Sequence, residues 1–127
     1  MQKADAFQFL GRRLRAVIDR PLGWQDARFK WAYPLNYGYI PGVFSADGEE
    51  LDAYVLGPRQ PLAEFDGVCA AVIERLDDVE CKLVLVEPGA RWSEAQIRRE
   101  VDFIEQYFCS RLKMAPGLDG VGKDADS

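Results

Sequence analysis

Two stretches decide the reading of this chain: Tyr33-Pro34-Leu35-Asn36-Tyr37-Gly38-Tyr39-Ile40-Pro41-Gly42, and then Asp47-Gly48-Glu49-Glu50-Leu51-Asp52-Ala53-Tyr54-Val55-Leu56. Tyr37 to Ile40 reads as a short strand closed by the turn signal Pro41-Gly42. Asp47-Gly48 marks a second turn, leading into the apolar run Ala53 to Leu56. Four carboxylates fall within the six residues from Asp47 to Asp52, at the entry to a strand. If that strand starts at Leu51, Asp52 points opposite to Leu51 and can face inward or line a cavity.

Working outward, Leu14, Ala16 and Ile18 alternate with Arg13, Arg15 and Val17, which predicts a half-buried strand ending at Asp19, before Pro21 and Gly23. Val68 to Ile73 is apolar on both faces and reads as a central strand, and Lys82 to Val86 as another. The first dozen residues read as an irregular or helical lead-in. The one clear helix comes last. Ser93 and Gln96 form an S-x-x-Q capping box, and Ile97, Val101, Ile104, Phe108 and Leu112 then recur at helical spacing up to Pro116-Gly117. Five or six short strands and one helix predict a mainly β (α+β) chain: a small OB-like antiparallel barrel with a C-terminal α-helix packed against it. Residues 1–115 form the single domain, and 116–127 form a polar tail expected to be disordered.

The chain has 127 residues, 48% of them hydrophobic and 29% charged, enough for one hydrophobic core without staples. No apolar run approaches the ~18 residues that a bilayer demands, and no N-terminal segment reads as a signal peptide. With 21 acidic against 16 basic residues the net charge is -5, which argues against nucleic acid as the main partner. Cys69, Cys81 and Cys109 lack C-x-x-C spacing, as suits free thiols in a reducing compartment. The expected location is cytoplasmic, with no membrane association. Histidine is absent. That removes Ser-His-Asp and Cys-His catalysis and every His-liganded metal, leaving carboxylates, Lys, Arg, Tyr or a hard cation bound through oxygen.

A second acidic cluster, Asp77-Asp78-Val79-Glu80, sits between the two strongest strands, just before Lys82. Two strand-edge clusters meeting at one barrel mouth would make an all-oxygen pocket for Mg²⁺ or Mn²⁺. Tyr33, Tyr37, Tyr39, Tyr107, Arg28, Lys30 and Lys82 supply phenols and cations suited to a polyanion. Singly, each is an ordinary structural residue; the combination carries the reading.

At this point the sequence resembles the family I soluble inorganic pyrophosphatases. The likeness runs through Ile18-Asp19-Arg20-Pro21, Tyr33 to Ile40, Asp47 to Asp52, Glu80-Cys81-Lys82-Leu83-Val84 and Phe103 to Phe108, in a chain shorter than that family's usual members. The resemblance implies metal-dependent hydrolysis of pyrophosphate to two phosphates by a metal-activated water, with Mg²⁺ (alternatively Mn²⁺) and no organic cofactor. It implies metal ligands at Asp47, Asp52 and Glu80, with Asp77 or Asp78 and Asp19 as further acidic positions. It also implies a water-activating role for Glu49 with Tyr37 beside it, phosphate binding by Lys82, Tyr107 and Arg28, and a homo-oligomer. Glu49 and Glu80 stand where the family usually carries Asp, and Phe108 where it carries Lys. Each extra methylene moves a carboxylate by about 1 Å, a displacement that can cost about a hundredfold at reacting groups. Two other readings remain open: a catalytically weak relative that binds a phosphate ligand, and an oligonucleotide-binding barrel stacking bases on Trp31, Tyr33, Tyr37 and Tyr39.

Overall fold

The computed structural model describes residues 3–28, 31–45, 47–77 and 80–117. Lys30 and Asp78 lie outside these, as does the expected tail from residue 118 onward. A 3-10 helix over Lys3–Phe9 leads into β1 (Arg13–Arg20) and a small hairpin of β2 (Gln25–Asp26) and β3 (Trp31–Ala32). Then come β4 (Asn36–Phe44), β5 (Glu50–Val55), β6 (Glu64–Arg75), β7 (Cys81–Val86), α1 (Glu94–Glu105) and β8 (Ser110–Met114). No helix among the described residues is long and apolar enough to cross a membrane.

The large sheet runs β1-β4-β5-β7-β6, and β6 pairs back onto β1, closing a five-stranded barrel. Every pairing around it is antiparallel except β5 with β7. That parallel pair arises because β7, after turning back from β6, inserts between β6 and β5 rather than adding outside. The expected barrel with a helix against it is what forms.

Strand alternation divides the apolar residues between two cores. Ala16, Ile18, Ile40, Leu51, Ala53, Val55, Phe65, Cys69, Val72, Cys81, Leu83 and Leu85 come from all five strands and fill the interior, with Phe7, Phe9 and Leu10 packed against them. Tyr33, Tyr37, Tyr54, Ile73, Val84 and Val86 face outward and are covered by Ile97 and Val101 of α1 and Leu112 of β8. A bulge in β6 between Cys69 and Ala71 switches its faces midway, so that one strand serves both cores. Every residue of β7 is buried.

Two expectations are corrected. Pro41-Gly42 does not end β4: the strand continues to Phe44 through a register irregularity, with Gly42 at a positive φ of 79°. A positive-φ glycine makes the bulge that lets Pro41, which lacks an N–H, sit inside a strand. The helix also stops earlier than its apolar periodicity suggests. Its capping box forms as read, but it ends at Glu105, and Phe108 and Leu112 lie beyond it. The outer half of β6, Ala71 to Arg75, would otherwise present an open edge, and Ser110–Met114 pairs with it as β8. Backbone ladder bonds along that edge outweigh one more helical turn.

Gly38 fixes how β4 crosses β1. A Cβ there would lie 1.9 Å from the carbonyl oxygen of Val17, backbone that cannot swing aside. Gly38→Ala should therefore destabilise the fold by about 3 kcal/mol or more, measured as a fall in the urea midpoint.

Candidate functional site

The interior positions Leu51, Ala53, Cys81 and Leu83 fix the phase of two neighbouring strands. Asp52 and Lys82, lying between them, must point outward. The site therefore lies on the barrel's outer wall, in the cleft under α1, and not at the barrel mouth. Lys82 Nζ donates to Asp52 Oδ2 at 2.8 Å and to the Tyr37 hydroxyl at 2.8 Å, and it lies 3.8 Å from Glu80 Oε1. The Tyr37 hydroxyl donates in turn to Asp52 at 2.9 Å. Burial first, and then the Asp52 charge, push the Tyr37 pKa well above its ordinary value. At neutral pH it is a neutral phenol that orients Asp52, and it cannot serve as a base.

The network continues inward. Glu80 Oε1 accepts from Arg75 Nη1 at 2.7 Å, and Arg75 Nη2 donates to Glu105 Oε2 at 2.9 Å. Tyr54, fully buried, donates its hydroxyl to the same Glu105 oxygen at 2.6 Å. Burial opposes the Arg75 charge, but the hydrogen bonds and charge of Glu105 win and hold its pKa above the ordinary value. Tyr54 is raised by burial and by Glu105. One chain of contacts thus runs Tyr54–Glu105–Arg75–Glu80–Lys82–Asp52–Tyr37.

The remaining acidic residues make contacts of their own. Asp47 caps the turn before β5, accepting from the Ser45 hydroxyl and from the Glu49 N–H, and these bonds hold its carboxyl below the usual range. The Lys82 charge lowers it further. Asp19 is raised chiefly by burial, with the Asp52 charge adding to it. Glu49 is exposed on the turn. Asp77 accepts the Cys109 N–H at 3.5 Å.

Among the described residues no three carboxylates close on a single point. The donor chemistry nevertheless suits a hard cation. Lys82 already places a positive charge between Asp52 and Glu80. Along the chain of contacts three carboxylates, Asp52, Glu80 and Glu105, face two cations, Lys82 and Arg75, leaving a negative excess.

Beside Lys82 the cleft encloses about 410 Å³. Lys82, Arg28, Tyr37 and Tyr107 line it together, and Arg20 and Arg75 join them. Sequence reasoning gave neither arginine a role. Arg20 lies inside the Ile18-Asp19-Arg20-Pro21 motif, shares the parity of interior Ile18, reaches the cleft past a register shift in β1, and donates to the Tyr33 hydroxyl at 2.7 Å. Arg75 ends a long apolar strand. A cation two positions after the apolar run Val68 to Ile73 is the only signal it left. Glu105 carried a comparable signal, as a carboxylate beside the apolar stripe of α1.

Removing Glu105 tests the network. Glu105→Ala leaves Arg75 and the Tyr54 hydroxyl without their shared acceptor in a buried site, and should cost about 3–5 kcal/mol of stability in urea unfolding. Glu105→Gln, which keeps an acceptor oxygen, should cost less. Equal, small losses for both would show that the pair does not hold the helix.

No family model matches the chain. Among curated proteins, the inorganic pyrophosphatase of Aeropyrum pernix is 39% identical over 49 residues, a match covering 36% of this chain and 27% of that protein. The matched segment thus spans about a quarter of that relative's length. Among solved structures, the inorganic pyrophosphatase of Ehrlichia chaffeensis superposes with a TM-score of 0.64 at 16% identity, covering 84% of this chain and 88% of the other. Those of Coxiella burnetii (TM-score 0.57, 18% identity, 80% and 84% covered) and Neisseria gonorrhoeae (0.56, 19%, 83% and 84%) are similar in the same way. At these identities the likeness is one of architecture. The barrel, with its helix laid over the outer wall, has the inorganic pyrophosphatase fold.

Proposed function

We propose that the chain hydrolyses inorganic pyrophosphate to two phosphates, in the cleft between the barrel and α1, with the help of a divalent cation. The observation that carries this is the junction of opposite chemistries in one place. Carboxylates at Asp52 and Glu80 adjoin a cleft lined by Lys82, Arg28, Arg20 and Tyr107, in the fold of enzymes that bear that name.

Asp47, Asp52 and Glu80 would hold the cation, with Asp19 beside them and Asp77 on the neighbouring turn. A bound Mg²⁺ or Mn²⁺ supplies neutralising charge and lowers the pKa of a water toward neutrality. The protein's own groups do the rest. Arg28, Arg20 and Lys82 bind the polyanion, and Tyr107 donates to it. Their charges are in place before reaction, so stabilising the departing phosphate requires no reorganisation. Tyr37, as a neutral phenol, keeps one Asp52 oxygen hydrogen-bonded and turned toward Lys82. Glu49, exposed on the Asp47 turn, would accept the proton of the attacking water in this reading. No covalent intermediate is needed, in keeping with the absence of histidine. Cytoplasmic location and homo-oligomeric assembly belong to the same proposal.

A second reading has its own support. Asp52 and Glu80 already have cationic partners in Lys82 and Arg75. That suits a catalytically weak relative that binds a phosphate ligand. The oligonucleotide-binding reading loses half of its stacking residues, because Tyr33 and Tyr37 are 2% and 6% exposed and pack edge-on against neighbouring rings, and Trp31 and Tyr39 remain as part-exposed rings.

Phosphate release from pyrophosphate separates the two surviving readings. Release should require Mg²⁺ or Mn²⁺ and stop with EDTA, and Asp52→Asn should lower it about a hundredfold. No release with either cation would favour the binding protein, and release that survives exhaustive chelation would overturn the metal assignment.

Glu49 is tested separately. Glu49→Gln should leave pyrophosphate binding intact and cut turnover by about 10²–10⁴-fold, the usual worth of a general base. Glu49→Asp should also lose turnover, if the site is spaced for the longer side chain. Equal turnover for the wild type and both variants would remove Glu49 from the mechanism.

A further inference from the structure

The cleft is two-sided in chemistry. Next to its cations, its lining includes Trp31, Phe103, Ile104, Tyr107 and Phe108. Pyrophosphate is all oxygen on the outside and gains nothing from an aromatic wall. Part of the wall is open to solvent. Trp31 is only half-buried, packing edge-on to Phe103 with ring centroids 5.4 Å apart, while Tyr107 and Phe108 are 60% and 37% exposed. Exposed aromatic rings gathered at one cleft mark a surface that takes up an apolar or planar group. A volume of about 410 Å³ falls in the range of pockets that enclose a small organic molecule, ordinarily about 300–1,000 Å³.

We infer that the cleft takes a nucleoside diphosphate: the diphosphate lies on the Lys82, Arg28 and Arg20 side, and the base lies against the Trp31 and Phe103 side. The inference rests on the hydrolase reading only in placing phosphates beside Lys82. The anionic end needs several fixed cations, which these residues supply. The planar end needs a ring face of low polarity and no particular hydrogen-bonding pattern, which is what the aromatic wall offers. Stacking of this kind tolerates any base. Discrimination among nucleotides should accordingly be weak, while discrimination against a diphosphate lacking a base should be clear.

Calorimetric titration of the full chain in Mg²⁺, with ADP and with methyl diphosphate, compares two ligands alike in their phosphates and differing in the base. ADP should bind at least about fivefold more tightly, the lower end of what base–aromatic stacking contributes. In Trp31→Ala that ratio should fall to about one. Trp31→Phe, which keeps a ring, should retain most of it and guards against a misfolded alanine variant. Equal affinities in the wild type overturn the inference, and if pyrophosphate is still hydrolysed the hydrolase reading survives alone. Preference for ADP in a protein that does not hydrolyse pyrophosphate overturns the hydrolase reading and leaves the ligand class standing. An unchanged preference in Trp31→Ala, with the variant folded, overturns the assignment of the base to this wall.

Discussion

A buried ion pair holds the helix to the barrel. Arg75, at the end of β6, and Glu105, in the last turn of α1, are each almost wholly withdrawn from solvent. Burying two charges is costly, and the cost is offset only when their remaining donors and lone pairs are satisfied. Here they are: Arg75 spends further donors on Glu80, while Glu105 accepts from the Tyr54 hydroxyl as well. The pair fixes the distance between α1 and the outer wall. That distance sets the width of the cleft whose lining includes Lys82, the partner of Asp52.

The same pair decides what kind of environment Lys82 has. β7 is buried on both faces, so a lysine within it has one escape, outward into the cleft. Asp52, Glu80 and the Tyr37 hydroxyl surround its ammonium there. Each of these is held by something else: Glu80 by Arg75, Asp52 and Tyr37 by one another across the β4–β5 ladder. A side chain with four rotatable bonds is thus held in place by partners that cannot move independently. Polar networks of this sort rigidify when every member is satisfied, and they put charge where a ligand can use it without rearrangement.

Much of this was legible in the sequence, and the limits are physical. Local signals were read correctly wherever local physics decides. The Ser93–Gln96 capping box, the alternation in β1 and the opposition of Asp52 to Leu51 need only neighbours in sequence, whereas which of those two faces is the interior is a tertiary matter. Where the decision is tertiary, the pattern misled. The helical spacing of Phe108 and Leu112 was genuine, but an open edge on β6 made a strand the better use of those residues. Pro41-Gly42 looked like a turn because nothing in the sequence reveals that a glycine at positive φ can carry a proline through a bulge. The cleft's phenols and two of its four cations, Lys82 and Arg28, were legible from motif. Arg75 was not, because its partner lies thirty positions away on another element.

Arg75 also accounts for a departure that the sequence presents without explanation. The resembling enzymes carry Asp at the position of Glu80. In this chain the Glu80 carboxylate spans two cations, at 2.7 Å from Arg75 and 3.8 Å from Lys82. An Asp on the same backbone would fall short by about one bond length along its side chain. It could satisfy Lys82 or Arg75, leaving the other to find a partner in a site with little water. A buried arginine that loses one acceptor is expensive, so the arginine and the longer carboxylate are coupled. Glu80 is thereby explained by packing of charge rather than by decay of a metal site. The length of its side chain is the consequence of having a guanidinium behind it.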